Sequence, residues 1–147
     1  MTISSLALSN VVIMLILVSF NLNVRMIDAQ VAPQPIFIAV TIRNQLIHLD
    51  LQIDCKNNRN KDELKQTVPA DGSWTFKFLP ILFHDISYSC IFSWNDGKNQ
   101  SHNYQIYNQG RDEKLCHQEC DWEIHETGPC RVSGKRAPEC HPWDRPM

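Results

Sequence analysis

What the sequence lacks narrows the field first. Beyond one leading apolar run it has no second long hydrophobic segment, so the remainder reads as a soluble body with no direct membrane insertion. It has no excess of either charge, with 14 Lys and Arg against 16 Asp and Glu. That balance argues against a nucleic-acid partner gripped by a broad basic surface, and against docking on anionic lipid. No His-Glu-x-x-His pair, no Gly-x-Ser-x-Gly elbow and no phosphate-cradling glycine loop is present. Zinc-protease, serine-hydrolase and nucleotide-binding readings therefore have no motif to rest on, and no cofactor is implied. No stretch carries a clear helical period, and there is no internal repeat or low-complexity linker.

What is present begins with residues 11–20, VVIMLILVSF. The run has the length of a signal-peptide apolar region, whereas a bilayer span needs roughly 20 apolar residues. Residues 1–10 carry no Lys or Arg, and the small Ala29 marks a plausible cleavage point. We expect residues 1–29 to be a signal peptide and residues 30–147 to be one secreted, extracellular domain.

All six cysteines follow that leader: Cys55, Cys90, Cys116, Cys120, Cys130 and Cys140. An even number behind a secretory leader reads as a disulfide framework, whose pairing the sequence leaves open. Each bridge contributes about 2–4 kcal/mol in a model where it restricts the unfolded chain. Zinc is the alternative, through Cys116, His117, Cys120 and Cys130, but the spacing is loose and no second Cys-x-x-Cys accompanies it.

The dominant period is two. Leu49, Leu51, Ile53 and Cys55 alternate with polar neighbours, as do Trp74, Phe76 and Phe78, and Tyr88, Cys90, Phe92 and Trp94 alternate with Ser87, Ser89, Ile91 and Ser93. Tyr104 and Ile106, and Cys120, Trp122 and Ile124, repeat the rule, and residues 36–43 (IFIAVTIR) add a β-branched run. Each such segment has one buried and one wet face. Turn signals separate them: Ala70-Asp71-Gly72-Ser73, Asn95-Asp96-Gly97-Lys98, Gln109-Gly110 and Thr127-Gly128-Pro129. The fold class expected is all-β: an antiparallel β-sandwich of two sheets, stapled by disulfides. The aromatic residues on the apolar parity should form its core, and Cys90 and Cys120, also inward, invite bridges between the sheets. Residues 57–65 (NNRNKDELK) read as a charged loop or at most one helical turn, and Asp112-Glu113 beside Arg111 and Lys114 as a solvated charge cluster. Cys140 should tie down the basic, proline-rich tail, with Trp143 packing back on the body.

Asn99-Gln100-Ser101 is an N-glycosylation sequon just after the Asp-Gly turn, and Asn99 is the expected attachment point. His48, His84, His102, His117, His125 and His141 are scattered, and the sequence pairs none of them with a general-base partner.

Taken in order, these segments resemble the plant self-incompatibility protein family, the S-protein homologues. The matching pieces are HLDLQIDCK ending near Cys55, VPADGSWTFKF, YSCIFSW around Cys90, YQIYNQGRD before Cys116, CHQECDW, the Gly128-Pro129-Cys130 triplet, and ECHPW with Cys140 and Trp143. The likeness runs from about Ile38 to Trp143. It implies a small secreted plant protein with a two-sheet β-sandwich, related to pistil-secreted determinants that signal through a pollen receptor. The chain departs from the family pattern after Cys55, where relatives carry a Ser- and Asp-rich loop ending in Leu-Gly, and at Ser87-Tyr88-Ser89. Those differences bear on partner choice.

The function expected is that of a non-catalytic extracellular recognition or signalling ligand, acting as a monomer on an extracellular protein such as a membrane receptor. Contacts would come from residues 57–65, 95–101 and 109–113, since rigid frames commonly present variable loops. A secreted histidine-based hydrolase of ribonuclease type and a lectin-like binding module are the alternatives. No catalytic, cofactor-binding or metal residue is assigned.

Overall fold

The computed structural model describes residues 3–26, 34–59, 63–81, 84–132 and 136–143. The Ala29 cleavage point, residues 60–62 of the charged loop and the last four residues lie outside them. The chain divides into two units, residues 1–34 and 35–147. In the first, helix α1 (Ile3–Met26) holds the leading apolar run. Among the described residues no helix is long and apolar enough to cross a membrane.

The second unit is two sheets. Strands β1 (Ile38–Asn44), β4 (Ser73–Phe78), β7 (Glu119–His125), β8 (Gly128–Arg131) and β9 (Glu139–Cys140) form one, in the order β4-β1-β7-β8-β9. Strands β2 (Leu51–Asn57), β3 (Glu63–Val68), β5 (Ser87–Asn95) and β6 (Asn99–Asn108) form the other, in the order β3-β2-β5-β6. Helix α2 (Gln109–Cys116) carries the chain from β6 to β7, and so from one sheet to the other.

The two-residue rhythm does the packing. Val40, Ile42, Leu51, Phe92, Trp122 and Ile124 are fully buried, while their chain neighbours alternate outward. Rings meet across the interior: Phe78 of β4 lies 4.8 Å from Tyr88 of β5 and 4.9 Å from Tyr107 of β6. Tyr104 of β6 meets Trp122 of β7 edge-on at 5.4 Å. Burying each ring is worth roughly 1.5–3 kcal/mol. A register shift between Tyr88 and Ser89 lets the consecutive Ile106 and Tyr107 both turn inward. Trp143 also packs on the body as expected, against Phe92, Trp94 and His102, with its indole N–H donating to the Glu126 carbonyl at 3.0 Å.

The two-sheet fold expected from the alternation is the one found, with several local differences. The pair β1–β7 is parallel, with Val40 beside Cys120 and Ile42 beside Trp122. One-sided alternation records only which face is wet; the direction of pairing follows from the long intervening chain, which supplies the crossover that parallel strands need. Residues 63–65, read as loop, begin β3, because an edge strand can carry charge on its wet face. Gly128 and Pro129 lie inside β8 rather than in a turn. Gly128 sits at φ +148°, and a Cβ there would overlap the carbonyl oxygen of His141, whose N–H donates to Pro129. Glycine is thus required where the tail crosses β8.

The segment 109–113 is helix rather than strand end or loop. Asn108 caps it by accepting the Arg111 N–H at 3.1 Å, and the helix is too short for a visible period. Trp74, assigned to the core, is only half-buried on the edge strand β4.

Candidate functional site

The chemistry-bearing side chains fall into a buried lattice and an open surface. The lattice centres on Asp112, which is fully buried rather than solvated. Its Oδ1 accepts from Arg111 Nε at 2.8 Å and Arg131 Nη1 at 2.7 Å. Its Oδ2 accepts from Arg111 Nη2 at 2.7 Å and the Asn108 N–H at 2.8 Å. Arg111 also donates to the Gln105 carbonyl, and Arg131 to Glu139. Both guanidinium groups lie over the Trp122 ring, at 5.8 and 5.7 Å. Four donors saturate this carboxylate, which satisfies a buried charge and leaves it no free lone pair for acid–base work. Nearby, burial first and then Asp112 and Glu113 push the Tyr107 phenol up to about 12. The lattice spans β6, α2, β8 and β9, and so ties the two sheets where α2 joins them.

The six cysteines form three bridges. Cys55 and Cys90 are direct register partners on β2 and β5. Cys116–Cys120 joins the end of α2 to β7, and Cys130–Cys140 joins register partners on β8 and β9. None runs between the sheets, although Cys90 and Cys120 do point inward. Facing residues on neighbouring strands bring their Cα atoms to 3.9 Å in both register pairs, so each of these bridges closes within its own sheet. The residues weighed as zinc ligands, Cys116, Cys120 and Cys130, are all in these bridges.

The histidines are dispersed. His102 stacks on Trp143 at 4.7 Å, and burial holds its imidazole below the usual value. His125 neighbours Glu123 and His141 neighbours Glu139, each at 3.5 Å. His48 and His117 occupy turns at φ 57° and 55°, and His84 lies on an exposed connection.

The open surface is best developed at the β5–β6 hairpin. Asn95 pairs with Asn99, leaving Asp96, Gly97 and Lys98 as the tip. Gly97 takes φ +96° with no neighbour near a would-be Cβ. Asn95 Oδ1 accepts the Gly97 N–H at 3.0 Å, Asp96 Oδ1 the Lys98 N–H at 3.1 Å, and Gln100 Nε2 donates to Asp96 Oδ2 at 3.3 Å. The tip is thus exposed yet held by its own side chains. Asn99 is exposed, as the sequon reading requires of its position. A cleft of about 590 Å³ beside the hairpin is lined by Asp50, Gln52, Ser93, Asn95, Asn99 and Ser101 among others. A second, of about 640 Å³, shares Gln52 and Ser93 and extends towards Lys65 and Ile91. On the β2–β3 edge, Glu63 lies 2.8 Å from Lys56 and 3.0 Å from Lys65. Hydrogen bonds from those two ammonium groups pull its carboxyl down to about 2.

The plant self-incompatibility protein S1 family model matches residues 39–143, a span that contains both sheets, the lattice and all three bridges. The chain belongs to this family. Family relatives include S-protein homolog 5 of Arabidopsis thaliana, 37% identical over 105 residues that cover 71% of this chain and 76% of that protein. S-protein homolog 2 of the same plant is 34% identical over 115 residues, covering 74% and 69%. A solved structure described as a self-incompatibility protein homologue superposes with a TM-score of 0.54 at 16% identity, covering 76% of this chain and 98% of the other, which shows the shared fold. The family resemblance drawn from the cysteine-bearing segments is thereby confirmed. Gly128, Arg131 and Asp112 sit inside the matched span as structural parts of the frame.

Proposed function

We propose that this chain is a secreted recognition ligand, non-catalytic and monomeric, read by an extracellular protein such as a receptor at a plant cell surface. Residues 1–29 serve as the cleaved leader. The observation that carries this reading is the pairing of a saturated buried lattice and three bridges with an exposed, self-capped hairpin tip. A frame held so firmly presents a polar loop in one conformation, and this lowers the ordering cost of binding. Six oxidised cysteines fit an oxidising compartment. The solved relative is described as one of a family of small, highly stable, secreted plant proteins, and we extend secretion and stability to this chain. Participation in self-incompatibility or a related cell–cell signal is the finer form of the same proposal.

The test has two arms. The full chain is produced in leaf tissue, and protein recovered from the apoplast is sequenced from its N-terminus; a start close to residue 30 is expected. Labelled oxidised protein is then applied to intact cells, with a reduced control. Saturable binding that the reduced protein lacks supports the proposal. Hydrolysis of RNA or peptide by the pure protein, lost on replacing one histidine with the fold retained, would falsify it.

A further inference from the structure

The outer faces of the two sheets differ in chemistry. On the five-stranded sheet the outward residues include Arg43, Lys77, Glu119, Asp121 and Glu123, with Arg43 lying 3.6 Å from Asp121. On the four-stranded sheet the register lines up Thr67, Gln52, Ser93 and Ser101 in one outward row. The next row runs Lys65, Asp54, Ile91 and Asn103. The first row is wholly amide and hydroxyl, and both clefts open on it. Ile91, 44% exposed, offers an apolar contact beside it. Uncharged donors and acceptors flanking an apolar spot suit a sugar, whose ring carries hydroxyls on its rim and C–H groups on its faces. The first cleft falls within the roughly 300–1,000 Å³ typical of small-molecule sites.

Asn99 supplies the sugar. Its side chain is exposed, it heads a sequon, and it lines the first cleft at the rim nearest the hairpin. We infer that the first residues of an N-linked glycan on Asn99 lie back over the four-stranded sheet, in the groove floored by Gln52, Ser93 and Ser101 and continuing towards Ile91. The occupant is part of the mature molecule, tethered at the groove's edge, so its effective concentration there is high. This inference rests on the secretory reading above, because the glycan is added only in that pathway. Its consequence is a division of the surface. The glycan covers the sheet face and is steered off the tip Asp96-Gly97-Lys98, which stays clear for a protein partner. A freely swinging glycan at the same residue would instead screen the tip.

The experiment uses the secreted glycoprotein, its Asn99→Gln and Ser101→Ala forms, and a Ser93→Phe form that keeps the sequon but blocks the groove. Glycan release by an N-glycosidase is timed on native and on denatured protein, and N-acetyl methyl protons are examined for nuclear Overhauser contacts to Gln52 and Ile91. Expected are one glycan, absent from Asn99→Gln and Ser101→Ala, with those contacts. Release from native wild type should be about tenfold slower than from native Ser93→Phe, the factor that roughly 1.4 kcal/mol of protection sets. Equal release from the two native forms, with no contacts, overturns the inference. So does an unmodified Asn99 in protein shown to be secreted, and in that case the recognition reading stands on its own test.

Discussion

The end where β6 passes into α2 and the end where β5 turns into β6 hold their polar groups in opposite ways. At the first, Asp112 is buried and takes four donors from two arginines and a backbone N–H, and Cys116–Cys120 closes the crossing. At the second, Asp96 is exposed and uses its carboxylate to cap a three-residue tip. The same residue type is a rivet in one place and a loop brace in the other. Burial decides which. A buried carboxylate stripped of one partner leaves uncompensated charge, whereas an exposed one is rehydrated. Stability should therefore reside at the α2 end and variability at the hairpin end.

The largest blow to that contrast is Asp112→Asn, which removes the negative charge between two guanidinium groups, that of Arg131 being only 7% exposed. A loss of about 3–5 kcal/mol is expected from urea unfolding. Next is the double change Cys55→Ala with Cys90→Ala, costing about 2–4 kcal/mol. Hydrogen exchange should then quicken in β2 and β5 before it does in β7 and β8. Asn44→Ala follows. Asn44 is buried and donates to the carbonyls of Leu49 and Val68 while accepting the Leu46 N–H. Orphaning those groups costs about 1–3 kcal/mol and should loosen residues 45–50 beside the hairpin.

A pH titration sharpens the contrast at smaller scale. His102 is held below its unfolded value of about 6.5, chiefly by burial. The unfolded chain then binds the proton more readily, so stability rises with pH in this window. Below about 6.5 the contribution is lost progressively as pH falls towards the folded value, and His102→Gln should flatten that slope in thermal melts. Smallest is the exposed Glu63, whose lowered carboxyl gives a contribution present above its unfolded value and lost as pH falls towards about 2. Glu63→Gln should leave the thermal midpoint almost unmoved, and any shift should vanish at high salt.

How much of this was legible depended on what each residue answered to. Strand cores at Leu51–Cys55, Trp74–Phe78, Tyr88–Trp94 and Cys120–Ile124 follow from local alternation, because a strand's two faces see different solvents whatever it pairs with. The parallel β1–β7 partnership did not show, since pairing direction depends on residues far apart in sequence. Asp112 looked solvated because its neighbours Arg111, Glu113 and Lys114 are charged; its buried partner Arg131 lies 19 residues away, which no local window contains. Asn44, a polar residue directly after a β-branched run and on the inward parity of Val40 and Ile42, was the signal of a buried hydrogen-bonding corner. The hairpin tip, by contrast, was visible in Asn-Asp-Gly-Lys, since turn chemistry is local.

The division between a rigid frame and a recognition tip is tested by replacing Asp96-Gly97-Lys98 with a neutral tripeptide of equal length that retains glycine at position 97. Saturable binding to intact cells and the thermal midpoint are measured on the same preparation. Binding should disappear while the midpoint moves by no more than a degree or two, the size set by a change under about 0.5 kcal/mol. Undiminished binding by that variant, together with loss of binding when Gln52 and Ser93 are changed instead, would contradict it.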